Sequence, residues 1–230
     1  MRTGIVVFPG SNCDRDVHHV LNDVMGINAQ YIWHTEESID EYDALILPGG
    51  FSYGDRLRAG VIAAQSPIVE AIKKKAQEGL PILGICNGFQ ILLEAGLLPG
   101  CMLKNKSLQF ICKDVYLSIR NRESVFTKGI EKVKTIKVPI AHGDGNYFAD
   151  KNTLKSLEEN NQIVFQYSSK DGENSEAYNH NGSVMNIAGI INKKGNVLGM
   201  MPHPERCSSN ILGKTDGSLI FNSLAKNIFN

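Results

Sequence analysis

Pro81-Ile82-Leu83-Gly84-Ile85-Cys86-Asn87-Gly88 is the stretch of sequence that decides the fold. Its apolar beginning predicts a buried β-strand over residues 81–85, and residues 88–95 predict a helix. Glycines two positions before and two positions after Cys86 let the backbone turn sharply between these elements without Cβ clashes. We therefore expect Cys86 to lie on a tight strand-to-helix turn that points its side chain into a cleft.

A cysteine on such a turn has two interpretations. At the N-terminus of a helix, unpaired N–H groups and the helix dipole favour the thiolate, which is the nucleophilic form. A free cysteine is also often just a small buried residue at the end of a core strand. The pattern around Cys86 favours a nucleophile but does not by itself exclude the structural role.

The residues on the N-terminal side of this stretch predict an α/β fold. Strands are predicted at residues 5–8, 29–33 and 44–47; helices are predicted between a Ser11-Asn12 cap and Gly26, and from Pro67 to Ala76 with a stop at Gly79. Continuous apolar strands that alternate with helices indicate a mainly parallel sheet covered on both faces. Ligands bind such sheets outside the carboxyl ends of the strands, here residues 9–12, 48–51 and 84–88.

The second half of the chain predicts additional β structure. Strands with short turns between them are expected at residues 111–119, 133–141, 163–166, 186–191 and 197–201, and residues 216–229 predict a closing helix. The sequence contains no repeat, linker or low-complexity tract. We therefore expect a single domain over residues 1–230.

The charge balance and cysteine content exclude several function classes. Lys plus Arg and Asp plus Glu both total 24, so no strong field favours nucleic acid or an anionic membrane. The five cysteines are odd in number and lack Cys-x-x-Cys spacing, which argues against a disulfide scaffold or zinc ribbon. We see no signal peptide and no apolar run near the ~18 residues that a membrane span needs. A cytosolic protein is expected.

His203 is the best-placed base for a cysteine nucleophile, which needs a base that is itself oriented by a third group. It follows the strand predicted at residues 197–201, and the sequence Pro202-His203-Pro204-Glu205 restricts the backbone on both sides of it. Glu205 offers a carboxylate to the second imidazole nitrogen. A metal site of Cys86, His203 and Cys207 is the weaker alternative, because its spacing matches no standard zinc pattern.

An oxyanion hole is the third requirement of acyl transfer. Pro48-Gly49-Gly50 ends the strand at residues 44–47, which in a parallel sheet can neighbour the strand that leads to Cys86. We expect the N–H groups of Gly50 and Asn87 to be the donor pair. Taken alone, however, the two glycines would indicate only a turn.

Three motifs in this order resemble those of the class I (triad) glutamine amidotransferases: Pro48-Gly49-Gly50, Gly84-x-Cys86-x-Gly88-x-Gln90 and His203-Pro204-Glu205. The resemblance implies a flavodoxin-like fold in which Cys86 attacks the side-chain amide of L-glutamine and forms a glutamyl thioester. It implies that His203 protonates the departing ammonia and then activates water. Gln90 corresponds to a family glutamine that contacts the substrate amide.

Further segments resemble one branch of this family, the free-standing glutaminase subunits of purine biosynthesis: residues 7–14, 49–55, 141–145, 181–183 and 187–190. The branch implies a separate synthetase subunit and commonly a small third subunit. The synthetase would bind ATP and Mg²⁺ and convert formylglycinamide ribonucleotide to formylglycinamidine ribonucleotide with ammonia from this chain. No cofactor is expected here, since the chain lacks a Gly-x-x-x-x-Gly-Lys-[Ser/Thr] motif.

His142 and Gly143 correspond to the place where related enzymes hold the α-amino and α-carboxylate groups of glutamine through backbone groups. Three residues depart from the usual pattern, which more often has tyrosine at Arg56, glutamate at Asp144 and arginine at Asn146. These departures put in doubt local contacts around the cleft or the partner face, but none of them touches the triad.

Two other functions share many of these features. A stand-alone γ-glutamyl cysteine hydrolase of the same fold would have the same turn and oxyanion donors, although Gln90 and the branch-specific segments argue against it. The other possible function is that of a binding or regulatory subunit that kept the fold. The intact set of Cys86, His203 and Glu205 argues against that function.

Overall fold

The computed structural model of the chain describes residues 2–229, and a nine-stranded sheet forms its centre. In chain order the strands of this sheet are β1 (Arg2–Val7), β2 (Asn28–Trp33), β3 (Ala44–Leu47), β4 (Ile82–Ile85), β6 (Ile111–Ile119), β7 (Thr135–His142), β9 (Ile163–Ser168), β10 (Ile187–Ile191) and β11 (Val197–Met200). A small separate sheet pairs β5 (Cys101–Leu103) with β8 (Asn146–Phe148).

The strand order in the large sheet is β2-β1-β3-β4-β11-β10-β9-β6-β7. The strands from β2 to β11 pair in parallel, whereas the pairs from β11 to β7 are antiparallel. The second half of the chain therefore extends the same sheet instead of forming a layer of its own. The α/β fold expected from the sequence is confirmed.

Burial follows the two kinds of pairing. Every residue of β3 and β4 is buried, as expected for parallel strands covered on both faces. Along β7, buried and half-buried residues alternate, which is typical of an antiparallel strand that packs one face against the core. The apolar core is continuous from the parallel to the antiparallel half.

The helices are α1 (Asp14–His19), α2 (Pro67–Glu78), α3 (Asn87–Glu94), α4 (Lys151–Glu159) and α5 (Ser218–Phe229). A π-helical turn continues α1 through Val20–Val24. Pro67 occupies the first turn of α2 and Gly79 ends it with a φ of 102°. Both features were expected. N–H groups in the first turn of a helix have no acceptor within the helix, so proline, which lacks an N–H, is tolerated there. Glycine tolerates the left-handed conformation at the end of a helix. Within residues 2–229, no helix is long and apolar enough to cross a membrane.

One prediction about the helices was wrong, and one helix was not predicted. Ser11 and Asn12 do not cap α1: its N-cap is Cys13, which forms no side-chain cap bond, and Ser11 Oγ instead accepts from the Phe8 N–H at 3.1 Å. The helix that was not predicted is α4. Asp150 caps it, and its side chain accepts hydrogen bonds from the N–H groups of the first turn. The strands β5 and β8 were missed as well. They are three residues long, too short for an alternation pattern to develop.

Candidate active site

The carboxyl ends of β3, β4 and β11 meet at one edge of the sheet. Leu47 of β3 lies beside Gly84 of β4, and Met200 of β11 lies beside Ile85. The Cys86 N–H extends this pairing by donating to the Met200 carbonyl at 2.8 Å. The segments that follow these strands carry Gly50, Cys86 and His203, so the register brings the three predicted motifs together.

Cys86 lies on the sharp turn that the glycine spacing predicts. Its φ of 49° and ψ of −103° are unusual for a residue with a side chain, and such strain is typical of functional positions. A Cβ on Gly88 would lie 1.9 Å from the Leu47 carbonyl oxygen, so only glycine permits the close approach of α3 to β3. The Cys86 side chain is nearly buried and lies 3.8 Å from the Ala141 carbonyl oxygen.

His203 and Glu205 form a buried pair directly beside this turn. His203 Nδ1 and Glu205 Oε1 are 2.6 Å apart, and the two side chains are 2% and 0% exposed. Burial opposes the charged imidazole, but the carboxylate of Glu205 and the thiols of Cys86 and Cys13 raise the pKa of His203 well above its ordinary value. The raised pKa makes the histidine a stronger base, suited to take the proton of the Cys86 thiol and to hold it beside Glu205.

The second imidazole nitrogen of His203 is available for chemistry. Nε2 is buried, and no side chain or backbone group within residues 2–229 forms a hydrogen bond with it. His203 and Cys86 both line a cavity of about 210 Å³. Since Glu205 occupies Nδ1, Nε2 is the atom that can exchange a proton with the Cys86 thiol or with a bound substrate.

The two N–H groups expected to form an oxyanion hole are placed beside Cys86. Asn87 is the first residue of α3, where N–H groups lack intrahelical acceptors. Gly50 forms an isolated bridge with Ser11, in which Asn12 and Phe51 donate the hydrogen bonds, so the Gly50 N–H takes no part in the pairing. This arrangement leaves both donors available, although their roles remain predictions.

Cys13 also lies at this site, although it is not among the site residues predicted from the sequence. It is buried, and its Sγ accepts from Arg206 Nη2 at 3.1 Å. A Cβ on Gly49 would lie 2.7 Å from His203 Cε1 and 3.1 Å from Cys13 Sγ, which places the thiol close to the imidazole. No local pattern pointed to its thiol, because long-range contacts place it there: the Cys13 N–H donates to the Gly49 carbonyl at 3.2 Å, and Arg206 donates to its Sγ.

The metal site considered as an alternative would need ligands other than those expected from the sequence. Cys86 and Cys207 do not belong to a cluster of possible ligand atoms with His203, and burial raises the pKa of the Cys207 thiol to about 12. In the described part of the chain, the potential ligand atoms that lie within 4.8 Å of one another belong to Cys13, His203 and Glu205. A metal ion there would compete with the proton-transfer role of His203.

Gln90 lines a smaller cavity, which Cys86 also lines, but its amide is engaged inside the protein. Its Nε2 donates to the Asp144 carbonyl at 2.7 Å, and its Oε1 accepts from Asn87 Nδ2 at 2.9 Å. Asn87 Oδ1 in turn accepts from the Ser52 N–H at 3.2 Å. In this structure Gln90 therefore braces the segments around the cavity, and its predicted contact with the substrate amide would require a rearrangement of these bonds.

His142 and Gly143 follow Ala141 along the same cavity wall. Asn105 holds them there: its Nδ2 donates to the His142 carbonyl, and its N–H donates to the Gly143 carbonyl, both at 2.8 Å. The His142 side chain is buried, with Nδ1 3.0 Å from Asn105 Oδ1. Their predicted backbone contacts with the substrate are consistent with this position.

A second, smaller cavity of about 110 Å³ continues from Cys86 on the side of Gln90. Asp55 and Asp144 line it together with Gln90 and His142. Of the residues that depart from the family pattern, Asp144 therefore lies at the site, whereas Arg56 is exposed. A more voluminous cavity of about 540 Å³ lies elsewhere, between the end of α3 and α4, and none of the triad residues lines it.

Known proteins match this chain over nearly its full length. A model of the CobB/CobQ-like glutamine amidotransferase domain matches residues 1–219. The phosphoribosylformylglycinamidine synthase subunit PurQ of Moorella thermoacetica is 57% identical over 224 residues, which cover 97% of this chain and 95% of that protein. 

Solved structures match in the same way. PurLQS from Thermotoga maritima superposes with a TM-score of 0.87 at 43% identity, covering 99% of this chain and 98% of that one. A glutamine amidotransferase from Thermotoga maritima shares the fold, with a TM-score of 0.58, 17% identity and coverage of 100% and 92%. The chain therefore belongs to the glutamine amidotransferases and, within them, to the family of phosphoribosylformylglycinamidine synthase subunit PurQ.

Proposed function

We propose that the chain is the glutaminase subunit of a phosphoribosylformylglycinamidine synthase. The observation that carries the proposal is the buried His203–Glu205 pair, 2.6 Å apart, in the same cavity wall as the strained Cys86 turn. A nucleophile, a base and an orienting carboxylate are the parts that acyl transfer by a cysteine requires.

In the first step, Cys86 Sγ attacks the side-chain amide carbon of glutamine while His203 Nε2 takes the thiol proton. The C–N bond then breaks, His203 returns this proton to the departing nitrogen, and ammonia leaves behind a glutamyl thioester. In the second step, His203 takes a proton from water, the hydroxyl attacks the thioester, and glutamate leaves as the proton returns to the thiol.

Glu205, Gly50 and Asn87 support these steps without forming bonds to carbon. Glu205 fixes the orientation of the imidazole and stabilises its charged form. The N–H groups of Gly50 and Asn87 stabilise the negative oxygen of each tetrahedral intermediate, which is usually the largest electrostatic contribution to such reactions. Because both donors are backbone groups of tightly packed segments, they need little reorganisation during the reaction.

The ammonia is used by a different chain. We propose a synthetase subunit that binds ATP, Mg²⁺ and formylglycinamide ribonucleotide, together with a small third subunit, all in the cytosol. The match to PurLQS from Thermotoga maritima supports an assembly of this kind. Ammonia released into neutral water would be protonated and would lose its nucleophilicity, so direct transfer between the subunits is the chemical expectation.

The test is Cys86→Ala in the complex reconstituted with the synthetase. We expect glutamine-dependent synthesis to fall by about a thousandfold or more, while synthesis from added ammonium salt persists. Cys101→Ala is the matched control, because Cys101 is a free cysteine of β5 away from the cavity. Loss of both activities would give Cys86 a structural role, and full turnover of γ-glutamyl peptides without a partner would favour a stand-alone hydrolase.

A further inference from the structure

Asn105 is a fully buried asparagine in the loop after β5, and none of the motifs found in the sequence contains it. Both polar atoms of its side-chain amide are engaged twice. Nδ2 donates to the carbonyls of His142 and Gln109, both at 2.8 Å. Oδ1 accepts from the Gly145 N–H at 3.0 Å and lies 3.0 Å from His142 Nδ1. Three of these four bonds hold residues 142–145, most of which line the smaller cavity.

The same bonds fix the direction of the peptide groups in this wall of the cavity. The Asn105 N–H donates to the Gly143 carbonyl at 2.8 Å, so the carbonyls of His142 and Gly143 both face Asn105. In a trans peptide, the N–H group points opposite to the carbonyl of the preceding residue. The N–H groups of Gly143 and Asp144 therefore face away from Asn105.

Gln90 shows that this opposite side is the side of the cavity. The Gly145 N–H faces Asn105, so the Asp144 carbonyl, which belongs to the same peptide group, faces away from it. That carbonyl accepts from Gln90 Nε2 at 2.7 Å, and Gln90 lines the smaller cavity together with Cys86. Asn105 thus turns backbone groups of the wall towards the cavity without lining the cavity itself.

Asn181 supports the same wall from a second loop. It is also fully buried, and its Nδ2 donates to the Gly145 carbonyl at 2.6 Å. The Asn181 carbonyl accepts from the Lys106 N–H at 2.9 Å, which connects this loop to the residue after Asn105. The segment at residues 181–183, which resembles one branch of the family, therefore contributes to the wall from outside the cavity.

We propose that Asn105 is a positioning residue that holds residues 142–145 in the shape that binds the substrate. The inference rests on the proposed function, because it takes glutamine to be the molecule that lies beside Cys86. The wall begins directly after Ala141, whose carbonyl oxygen lies 3.8 Å from Cys86 Sγ, so a substrate at the thiol extends along it. Since Asn105 acts through the backbone of the wall, its loss weakens substrate binding and leaves the nucleophile and its base in place.

Asn105→Asp tests this role, because it changes the hydrogen-bonding groups and keeps the size of the side chain. A carboxylate cannot donate to the carbonyls of His142 and Gln109, and it repels both. In the complex with the synthetase, we expect the KM for glutamine to rise by about 10- to 100-fold, while kcat changes by less than about threefold. Steady-state release of glutamate measures both constants. The rate at which iodoacetamide alkylates Cys86 should stay close to wild type, because this small reagent does not use the wall.

Asn196→Asp is the matched control. Asn196 is also buried, and its Nδ2 donates to two backbone carbonyls, those of Ala76 at 2.9 Å and Leu80 at 2.8 Å. These residues lie at the end of α2 and line neither of the two cavities beside Cys86. Asn196→Asp should lower the melting temperature, as Asn105→Asp does, and leave the KM for glutamine unchanged.

The titration of His142 gives a second readout that a loss of stability would not produce. Asn105 Oδ1 accepts from the Gly145 N–H and is therefore the amide oxygen, so His142 Nδ1 donates to it. Burial, and then the nearby His203, lower the pKa of His142 to about 4. In Asn105→Asp, the carboxylate beside Nδ1 should raise this pKa, and a histidine titration followed by NMR measures the change.

The outcomes separate this proposal from the proposed function. A folded Asn105→Asp protein with the wild-type KM would overturn the role of Asn105 and leave the glutaminase function intact, as would an equal rise in KM in Asn196→Asp. If the wild-type complex does not hydrolyse glutamine, both proposals fail. Thermal melting shows whether each variant is folded. If Asn105→Asp is not, Asn105→Ala removes the amide without adding a charge, and the same rise in KM is expected.

Discussion

The two ends of the active-site cleft are built in opposite ways. At one end, the charge of His203 is matched by Glu205, and Arg206 is matched by Asp16. At the other end, Asp55 and Asp144 face a small cavity without a cation from the described part of the chain. The first end is complete before any ligand arrives, whereas at the second a buried carboxyl oxygen of Asp55 has no hydrogen-bond partner among the described residues.

This difference separates the chemical requirement from the binding requirement. Groups that transfer protons act best when their geometry is fixed in advance, since reorganisation during the reaction raises the barrier. A binding subsite can leave charge unpaired, because the substrate supplies the partner and gains affinity from it. Variants at the two ends should therefore differ in whether they change kcat or KM.

Among variants at the His203 end of the cleft, His203→Ala should have the largest effect on kcat. Without the imidazole, neither the thiol proton nor the ammonia proton has a carrier, so we expect kcat for glutamine hydrolysis to fall by about a thousandfold or more. Steady-state release of glutamate by the complex measures this loss. An unchanged rate of ammonia-dependent synthesis would show that the variant is folded and assembled, and a kcat within tenfold of wild type would contradict the assignment of the base.

Glu205→Gln should also reduce kcat, but the loss should be about 10- to 100-fold smaller than the loss caused by His203→Ala. Glutamine can still accept a hydrogen bond from His203 Nδ1, but it no longer stabilises the charged imidazole. The pKa of His203, raised well above its ordinary value in the wild type, should fall in the variant. A histidine titration followed by NMR checks this shift, and an unchanged titration would show that Glu205 does not act through charge.

Much of the catalytic end could be predicted from the sequence, because its signals are local. The turn at Cys86 follows from glycines two residues away on each side, and the structure shows why Gly88 is required there. His203 and Glu205 are two residues apart, and the prolines beside His203 restrict the backbone between them. Such short-range patterns survive folding, since few other conformations are open to these residues.

The end of the cleft that contains Asp55 and Asp144 could not be predicted in the same way. Asp55 and Asp144 lie far apart in the sequence, and neither belongs to a pattern that indicates a ligand. Cys13 is close to His203 only because the segment between β1 and α1 packs against Gly49 and Arg206, which are distant in the sequence. The internal hydrogen bonds of Gln90 likewise depend on the position of the Asp144 backbone.

The sequence by itself therefore determined the α/β fold, the strained turn at Cys86 and the pairing of His203 with Glu205. The tertiary structure decided that the second half of the chain extends the same sheet in antiparallel order, and that two distant carboxyl groups share one cavity. The physical reason is that local propensity and spacing fix elements and short-range pairs. Strand order and register fix which distant side chains meet.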